Sequence, residues 1–456
     1  MSDLGSFDLV AVGGGAGGLA AVRAGAVAKK RVALISDGPI GGDCTWTGCV
    51  PSKTLISAAA DGLDFSAAMR RVHATVGHIA APEDADALER EGIVVIEGRA
   101  VFVDPHTLDV DGRRISAGHI VVATGAQAAV PPIPGLVEAG YLTNEGLWNV
   151  AHAPRRLGVL GGGPIGCELS QALARFGVEV TVFEMAAHLL PREEPEASEV
   201  IRAALEADGV AVRTGQRVER VGRGGADQPI TIHAGREPVV VDEILVAAGR
   251  KPTTSGFGLD DIGVELSADG HVKVDRKLRT SVPSVSAVGD VNGLQPYTHA
   301  ADEQGRVAAW RALGRRMVWS FDAGRVPWVT FTAPEVARVG VAEAEAPRGA
   351  RVAYLPMAEN DRAITAGRTE GFIKLIAAPR RLLRNAGGGQ IVGATIVGER
   401  AGEMIHEPAL MMLTKGFTGR LAQLGHAYPS WSVGVQKCAG QFFQEIEGRR
   451  ARPAQG

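Results

Sequence analysis

Two stretches of this chain, FDLVAVGGGAGGLAAVRAGAVAKKRVALISD (7–37) and RRLGVLGGGPIGCELSQALARFGVEVTVFE (155–184), follow one plan, and that plan leaves little choice of fold. Each runs an apolar strand into glycines spaced GxGxxG, then a helix-forming segment, then a second apolar strand. The glycines are Gly13, Gly15 and Gly18 in the first and Gly161, Gly163 and Gly166 in the second. Placed between a strand and a helix, such glycines permit a tight turn and let a pyrophosphate approach the helix N-terminus. The expectation is an α/β chain with two Rossmann-like dinucleotide-binding domains. Two dinucleotides in one chain point to a redox pairing, a flavin (FAD) with a nicotinamide (NAD).

Cysteine use points the same way. Only Cys44, Cys49, Cys167 and Cys438 occur, and two of the four fall within GGDCTWTGCVPSK (41–53). Zinc ligation asks for a second ligand pair, and no CxxC or HxxxH partner is present. A static disulfide suits secreted chains, whereas this N-terminus has no signal-peptide pattern and reads as cytoplasmic, where disulfides are working ones. Residues five apart on a regular helix are separated by about 7.5 Å of rise, beyond the roughly 7 Å Cα limit for a disulfide, so Cys44 and Cys49 need a bent backbone. Gly41, Gly42 and Gly48 allow one. Pro51 suits a first helical turn, which places Cys49 at a helix N-terminus where the dipole favours a thiolate. Cys167 and Cys438 have no cysteine nearby and read as buried packing.

Together these features resemble the class I pyridine nucleotide-disulfide oxidoreductases, the family of dihydrolipoamide dehydrogenase, glutathione reductase and mercuric reductase. GGDCTWTGCVPSK resembles the redox-disulfide motif. VVATGA, with Thr124 and Gly125, resembles the strand-turn near the flavin, VAAGRKP, with Gly249 and Arg250, the end of the nicotinamide domain, and SAVGDV, with Gly289 and Asp290, the second flavin motif. The resemblance implies that Cys49 lies against the flavin and Cys44 is the interchange thiol, that Lys53 and Glu168 form an ion pair beside the flavin ring, and that Asp290 binds the ribityl chain. It also implies a flavin domain (1–149 and 280–322) interrupted by a nicotinamide domain (150–279). An α+β dimerisation domain (323–446) and a flexible tail (447–456) follow, the whole working as a homodimer.

Departures from the family pattern carry information. Where an acidic residue usually ends the second flavin strand, VALISD offers Ser36, with Asp37 one step later as its replacement. Glu184 ends the corresponding nicotinamide strand, and Met185, Ala186 and Ala187 follow with no arginine for a 2′-phosphate, which favours NAD over NADP despite His188 and Arg192 nearby. In GHAYPSWSVGVQK, Tyr428 stands where disulfide-reducing members carry a proton-shuttling histidine and Val433 where they carry a glutamate. Tyrosine titrates near 10 and is a poor base. His426, two residues earlier, is the substitute to consider.

Mercuric reductases also lack that pair and carry tyrosine at the site, and a soft metal ion needs no proton delivered to a leaving sulfur. GGGPIGCELSQ and ENDRAI (359–364) resemble mercuric-reductase-like sequences too. No N-terminal CxxC domain and no vicinal C-terminal cysteines accompany them. The expected activity is therefore electron transfer from NADH through FAD and Cys44–Cys49 to a metal ion or other thiophilic small molecule. The alternatives are a dihydrolipoamide dehydrogenase or small-disulfide reductase, and a redox-sensing or complex-bound flavoprotein subunit. A net charge of −3 with no basic block gives no reason to expect nucleic acid, and the apolar run in ALMML is far too short for a membrane span, with no other segment reaching the necessary length.

Overall fold

The computed structural model describes residues 3–225, 228–314 and 320–455, and the chain divides into two compact units. The first comprises 1–130, 143–152 and 249–323. Its sheet places Ile93–Glu97, Val32–Ser36, Asp3–Val12 and Arg113–Val122 side by side and parallel, with Val285–Ala287 also pairing in parallel with Arg113–Val122. Thr107–Val110 and Ala100–Asp104 extend it as an antiparallel edge. Leu9, Val10 and Ala11 in the central strand are fully buried, the signature of a parallel strand covered on both faces.

Helix Ala16–Val27 packs on helix Thr298–Ala312 through glycine. A Cβ at Gly305 would stand 2.2 Å from the Gly17 carbonyl oxygen, so the two backbones approach as only glycine permits. Residues 249–279, expected with the nicotinamide domain, pack in this unit. Arg250–Pro252 pairs with Ala126–Ala128, and Phe257, Leu259, Val264 and Val272 join the core beneath the sheet.

The second unit comprises 131–142, 153–248 and 324–456. Its first part is a parallel sheet in the order Ala211–Arg213, Glu179–Phe183, Arg156–Leu160, Glu243–Val246. Its second part is an antiparallel sheet running Trp328–Thr330, Glu335–Gly340, Gln390–Gly398, Phe372–Ala378, Arg351–Pro356, Arg452–Pro453. The last of these strands lies within the segment 447–456, expected as a flexible tail: Val352 pairs with Arg452 and Arg351 with Pro453.

Polar contacts join the two parts of this unit. Gln171 exchanges two hydrogen bonds with the Ala333 backbone. Lys374, 1 % exposed, meets Glu194, Glu196 and Glu343 at 3.2, 2.8 and 3.1 Å. A buried ammonium is tolerated only with such partners. Among the described residues no helix is long and apolar enough to cross a membrane.

Candidate active site

The redox stretch folds as two short helices with a break between them. Gly41 (φ +103°) and Gly42 (φ +61°) turn the chain into helix Gly42–Trp46, Thr47 and Gly48 interrupt it, and Cys49 opens helix Cys49–Ala60. This is the bend that the five-residue spacing demands. A Cβ at Gly48 would lie 2.8 Å from the Asp43 carbonyl oxygen, so the break is as tight as glycine allows. The Thr47 carbonyl accepts hydrogen bonds from Trp148 Nε1 (3.0 Å) and Asn144 Nδ2 (3.4 Å), which brace the turn.

Both cysteines are thiols in this structure. Cys49 Sγ lies 3.5 Å from Thr298 Oγ1, at the first residue of helix Thr298–Ala312. A hydrogen bond with Cys49 pushes the Cys44 thiol up, and burial and the Cys49 charge add to the shift. The two thiols therefore titrate as a pair, in two steps, with the Cys44 proton held. Thr298 was not singled out in the sequence, because its partner lies 249 residues away and no local pattern marks the contact. Lys53 sits one helical turn beyond Cys49.

The first glycine turn is built for close approach. At Gly13 (φ +112°) a Cβ would stand 2.2 Å from the Ala123 carbonyl oxygen, and at Gly18 it would stand 2.0 Å from the Gly13 carbonyl oxygen. At Gly15 a Cβ would meet no atom within 4 Å: the turn opens there toward space at the N-terminus of helix Ala16–Val27, which carries no acid in its first turn. The cysteine stretch adjoins this turn, since Gly41 N donates to Gly14 O (2.9 Å) and a Cβ at Gly42 would lie 2.8 Å from Gly15 Cα.

Ser36 lies against Gly14 and donates to Gly38 O (2.9 Å), while Asp37 stands one residue on, 3.9 Å from Arg99. Thr124 Oγ1 donates to Thr253 O (2.6 Å), and Gly125 (φ +69°) and Gly249 (φ +118°) flank the strand pair. Gly289 N donates to Gln304 Oε1 (2.8 Å), and the neighbouring Asp290 is pushed up by burial, opposed by Arg250. Arg250 reaches both Asp290 (3.2 Å) and Asp43 (2.5 Å).

In the second unit the other glycine turn repeats this geometry. A Cβ at Gly161 (φ +116°) would lie 2.4 Å from the Ala247 carbonyl oxygen, one at Gly166 would lie 1.9 Å from the Gly161 carbonyl oxygen, and one at Gly163 would meet nothing within 4 Å. Glu184 lies where Ser36 lies in the first turn. Its Oε2 accepts from Gly162 N (2.6 Å) and its Oε1 from Ala186 N (2.7 Å), which fixes the carboxylate at the strand end. Glu168 is buried on helix Pro164–Arg175 and accepts from Phe331 N (2.8 Å). Cys167 and Cys438 are buried thiols, pushed up by burial.

The C-terminal loop separates the two candidate proton carriers. The His426 side chain, only 5 % exposed, lies between Leu424 O (Nδ1, 2.9 Å) and Glu407 Oε2 (Nε2, 3.0 Å). Both neighbours are acceptor oxygens, so both ring nitrogens are engaged within the chain. Tyr428 is 74 % exposed, its hydroxyl bonded to Asp361, whose proximity raises the phenol above its usual value. Val433 opens helix Val433–Gly440. Asn360 Nδ2 donates to Trp431 O (2.8 Å), tying this loop to the ENDRAI segment that carries Asp361.

Comparison with known proteins agrees with this geometry. Residues 7–305 match the family model described as pyridine nucleotide-disulphide oxidoreductase, and residues 326–438 match that family's dimerisation domain. A mercuric reductase of Staphylococcus aureus is 34 % identical across 89 % of this chain and 77 % of its own. A dihydrolipoyl dehydrogenase of Thermus scotoductus is 32 % identical across 96 % and 98 %. Among solved structures, the Cu(II) complex of the HOCl-induced flavoprotein disulfide reductase RclA from Escherichia coli superposes with a TM-score of 0.87 at 30 % identity, covering 96 % of this chain and 99 % of that one.

Proposed function

The chain belongs to the pyridine nucleotide-disulphide oxidoreductase family, and from that membership we propose an NADH-dependent flavoprotein that delivers electrons through Cys49 and Cys44 to a thiophilic metal ion. The observation that carries the reading is the thiol pair itself. Cys49 opens a helix beside Thr298, and Cys44 is hydrogen-bonded to it from the short helix Gly42–Trp46, whose first residue packs on the first glycine turn.

Family members bind FAD and NAD(P), and the residues present fit both groups. The open space at Gly15 with an acid-free helix N-terminus suits the flavin diphosphate, and the half-buried Asp290 suits its ribityl hydroxyls. Gly163 and the fixed Glu184 suit the nicotinamide diphosphate and adenosine ribose, and a carboxylate there repels a 2′-phosphate. When bound, FAD supplies the hydride acceptor that turns nicotinamide oxidation into two electrons for the thiols. Cys49 holds its charge at the helix N-terminus, with the Thr298 hydroxyl as a hydrogen-bond partner. Cys44 keeps its proton until an acceptor arrives and gives it up to water as its sulfur binds that acceptor. Lys53 and Glu168 serve as the charged pair beside the ring, and the domain limits given from the sequence are part of the same reading.

The metal acceptor is favoured over a disulfide by the C-terminal loop. Disulfide reduction needs a group that takes a proton from the attacking thiol and returns it to the leaving one. His426 has both nitrogens engaged and Tyr428 has its proton held more tightly than usual, so neither supplies that service well. Two soft thiolates bind a thiophilic ion without it. Mercuric reductases and a copper-bound neighbour stand among the similar proteins. In the homodimer, the Tyr428 loop of one subunit meets the thiols of the other, and no nucleic acid or membrane takes part.

The test is NADH oxidation by purified enzyme against Hg(II), Cu(II), lipoamide and glutathione disulfide. Metal turnover well above disulfide turnover is expected. Efficient lipoamide reduction that disappears in His426→Ala contradicts the reading and favours a dihydrolipoamide dehydrogenase.

A further inference from the structure

Arg250 touches two acids of the candidate flavin site. Its Nη2 donates to Asp43 Oδ2 at 2.5 Å and also to the Ala126 carbonyl. Its Nε lies 3.2 Å from Asp290 Oδ2 yet is buried without the alignment of a hydrogen bond, and its Nη1 donates to none of the described residues. A guanidinium with three of its five N–H donors unspent, in a partly buried position, is incompletely satisfied by the protein alone.

The acids it joins are awkwardly placed for an anionic ligand. Asp43 directly follows Gly42, whose backbone packs on the Gly13–Gly18 turn where a diphosphate would sit. Asp290 is half-buried and carries the repulsion of Asp43 as well as the attraction of Arg250. Two carboxylates beside a diphosphate repel it unless a cation lies between.

We propose that Arg250 is the shared countercharge of this site: it neutralises Asp43 and Asp290 together, so that the Gly13–Gly18 turn can hold the diphosphate of the flavin. The inference rests on FAD being the cofactor. It also makes Asp43, which precedes the interchange thiol, a positioning residue for Arg250 and a member of the cofactor site.

The experiment is FAD titration of flavin-stripped protein, followed by quenching of flavin fluorescence, with the Tm of the stripped protein as a control for folding. Arg250→Met should weaken FAD on the order of tenfold or more, given charges a few ångströms apart in a partly buried site. Adding Asp43→Asn to that variant should recover threefold or more of the loss, because one repelling charge has gone. Full FAD affinity in Arg250→Met overturns the proposal. So does a further loss on adding Asp43→Asn, since Asp43 would then act by contact rather than by charge. Should Arg250→Met not fold, Arg250→Lys carries the test: its single ammonium cannot span both acids, so FAD weakens and Asp43→Asn restores it, and absence of restoration overturns the proposal. A parent protein that takes up no FAD defeats the cofactor assignment instead, which keeps the two failures apart.

Discussion

At the scale of single residues, the site is decided by what each polar atom already touches. Glu184 spends its carboxylate on Gly162 N and Ala186 N, which aims it at the strand end rather than leaving it mobile. Glu184→Ala should therefore lower the kcat/KM preference for NADH over NADPH by about 1–2 kcal/mol, measured as the ratio for the two coenzymes. An unchanged ratio contradicts the role. At Tyr428 the missing acid-base partner sets the prediction. Restoring it with Tyr428→His and Val433→Glu should raise disulfide reduction by up to about two powers of ten while leaving flavin reduction by NADH nearly unchanged, as stopped-flow absorbance would show. A general loss of both rates would mean that the loop had only been damaged. These residues were legible in the sequence because they sit within recognisable motifs. Thr298, Trp148 and the Asp43–Arg250 pair were not, because each contact joins positions roughly a hundred or more apart and depends on tertiary folding.

At the scale of elements, glycine placement explains why the helices sit where they do. The strand–turn–helix–strand pattern could be read from spacing alone, since GxGxxG between apolar runs has few other solutions, and the break between Cys44 and Cys49 followed from helix rise. Which glycines serve helix packing could not be read, because Gly17 and Gly305 belong to helices distant in sequence. Gly305→Ala should force helices Ala16–Val27 and Thr298–Ala312 apart and cost roughly 1–3 kcal/mol, seen as a lower denaturation midpoint. The same helices begin at Gly15 and beside Cys49, so the variant should also bind FAD more weakly. Full stability would show that the pair can slide without cost.

At the scale of the whole molecule, the second unit is held by buried charge as well as by its apolar core. Lys374 serves Glu194, Glu196 and Glu343, and Glu343 also pairs with Arg452 on the last strand. Lys374→Met leaves those carboxylates with too little positive charge and should cost about 3–5 kcal/mol in denaturant unfolding. Burial raises the Glu343 carboxyl, but hydrogen bonds from Arg452, the Gln455 backbone and Lys374 outweigh it and hold it at about 2. A depressed carboxyl contributes stability that is complete above its unfolded value near 4.5 and is lost as pH falls toward 2. Glu343→Gln should be less stable than the parent at neutral pH yet lose less on acidification through that window, and equal acid sensitivity would contradict the assignment. The ordered C-terminal strand belongs to the same scale, since Arg452 finds its partners only in the assembled sheet.

The central claim is that electrons reach the acceptor through Cys49 and then Cys44, and anaerobic spectroscopy of the flavin-loaded enzyme tests it most directly. Two-electron reduction by NADH should produce a long-wavelength charge-transfer band. Cys49→Ser should abolish it, and Cys44→Ser should show it even in oxidised enzyme, because Cys49 is then left unpaired beside the flavin. A spectrum unchanged by either substitution would contradict the relay.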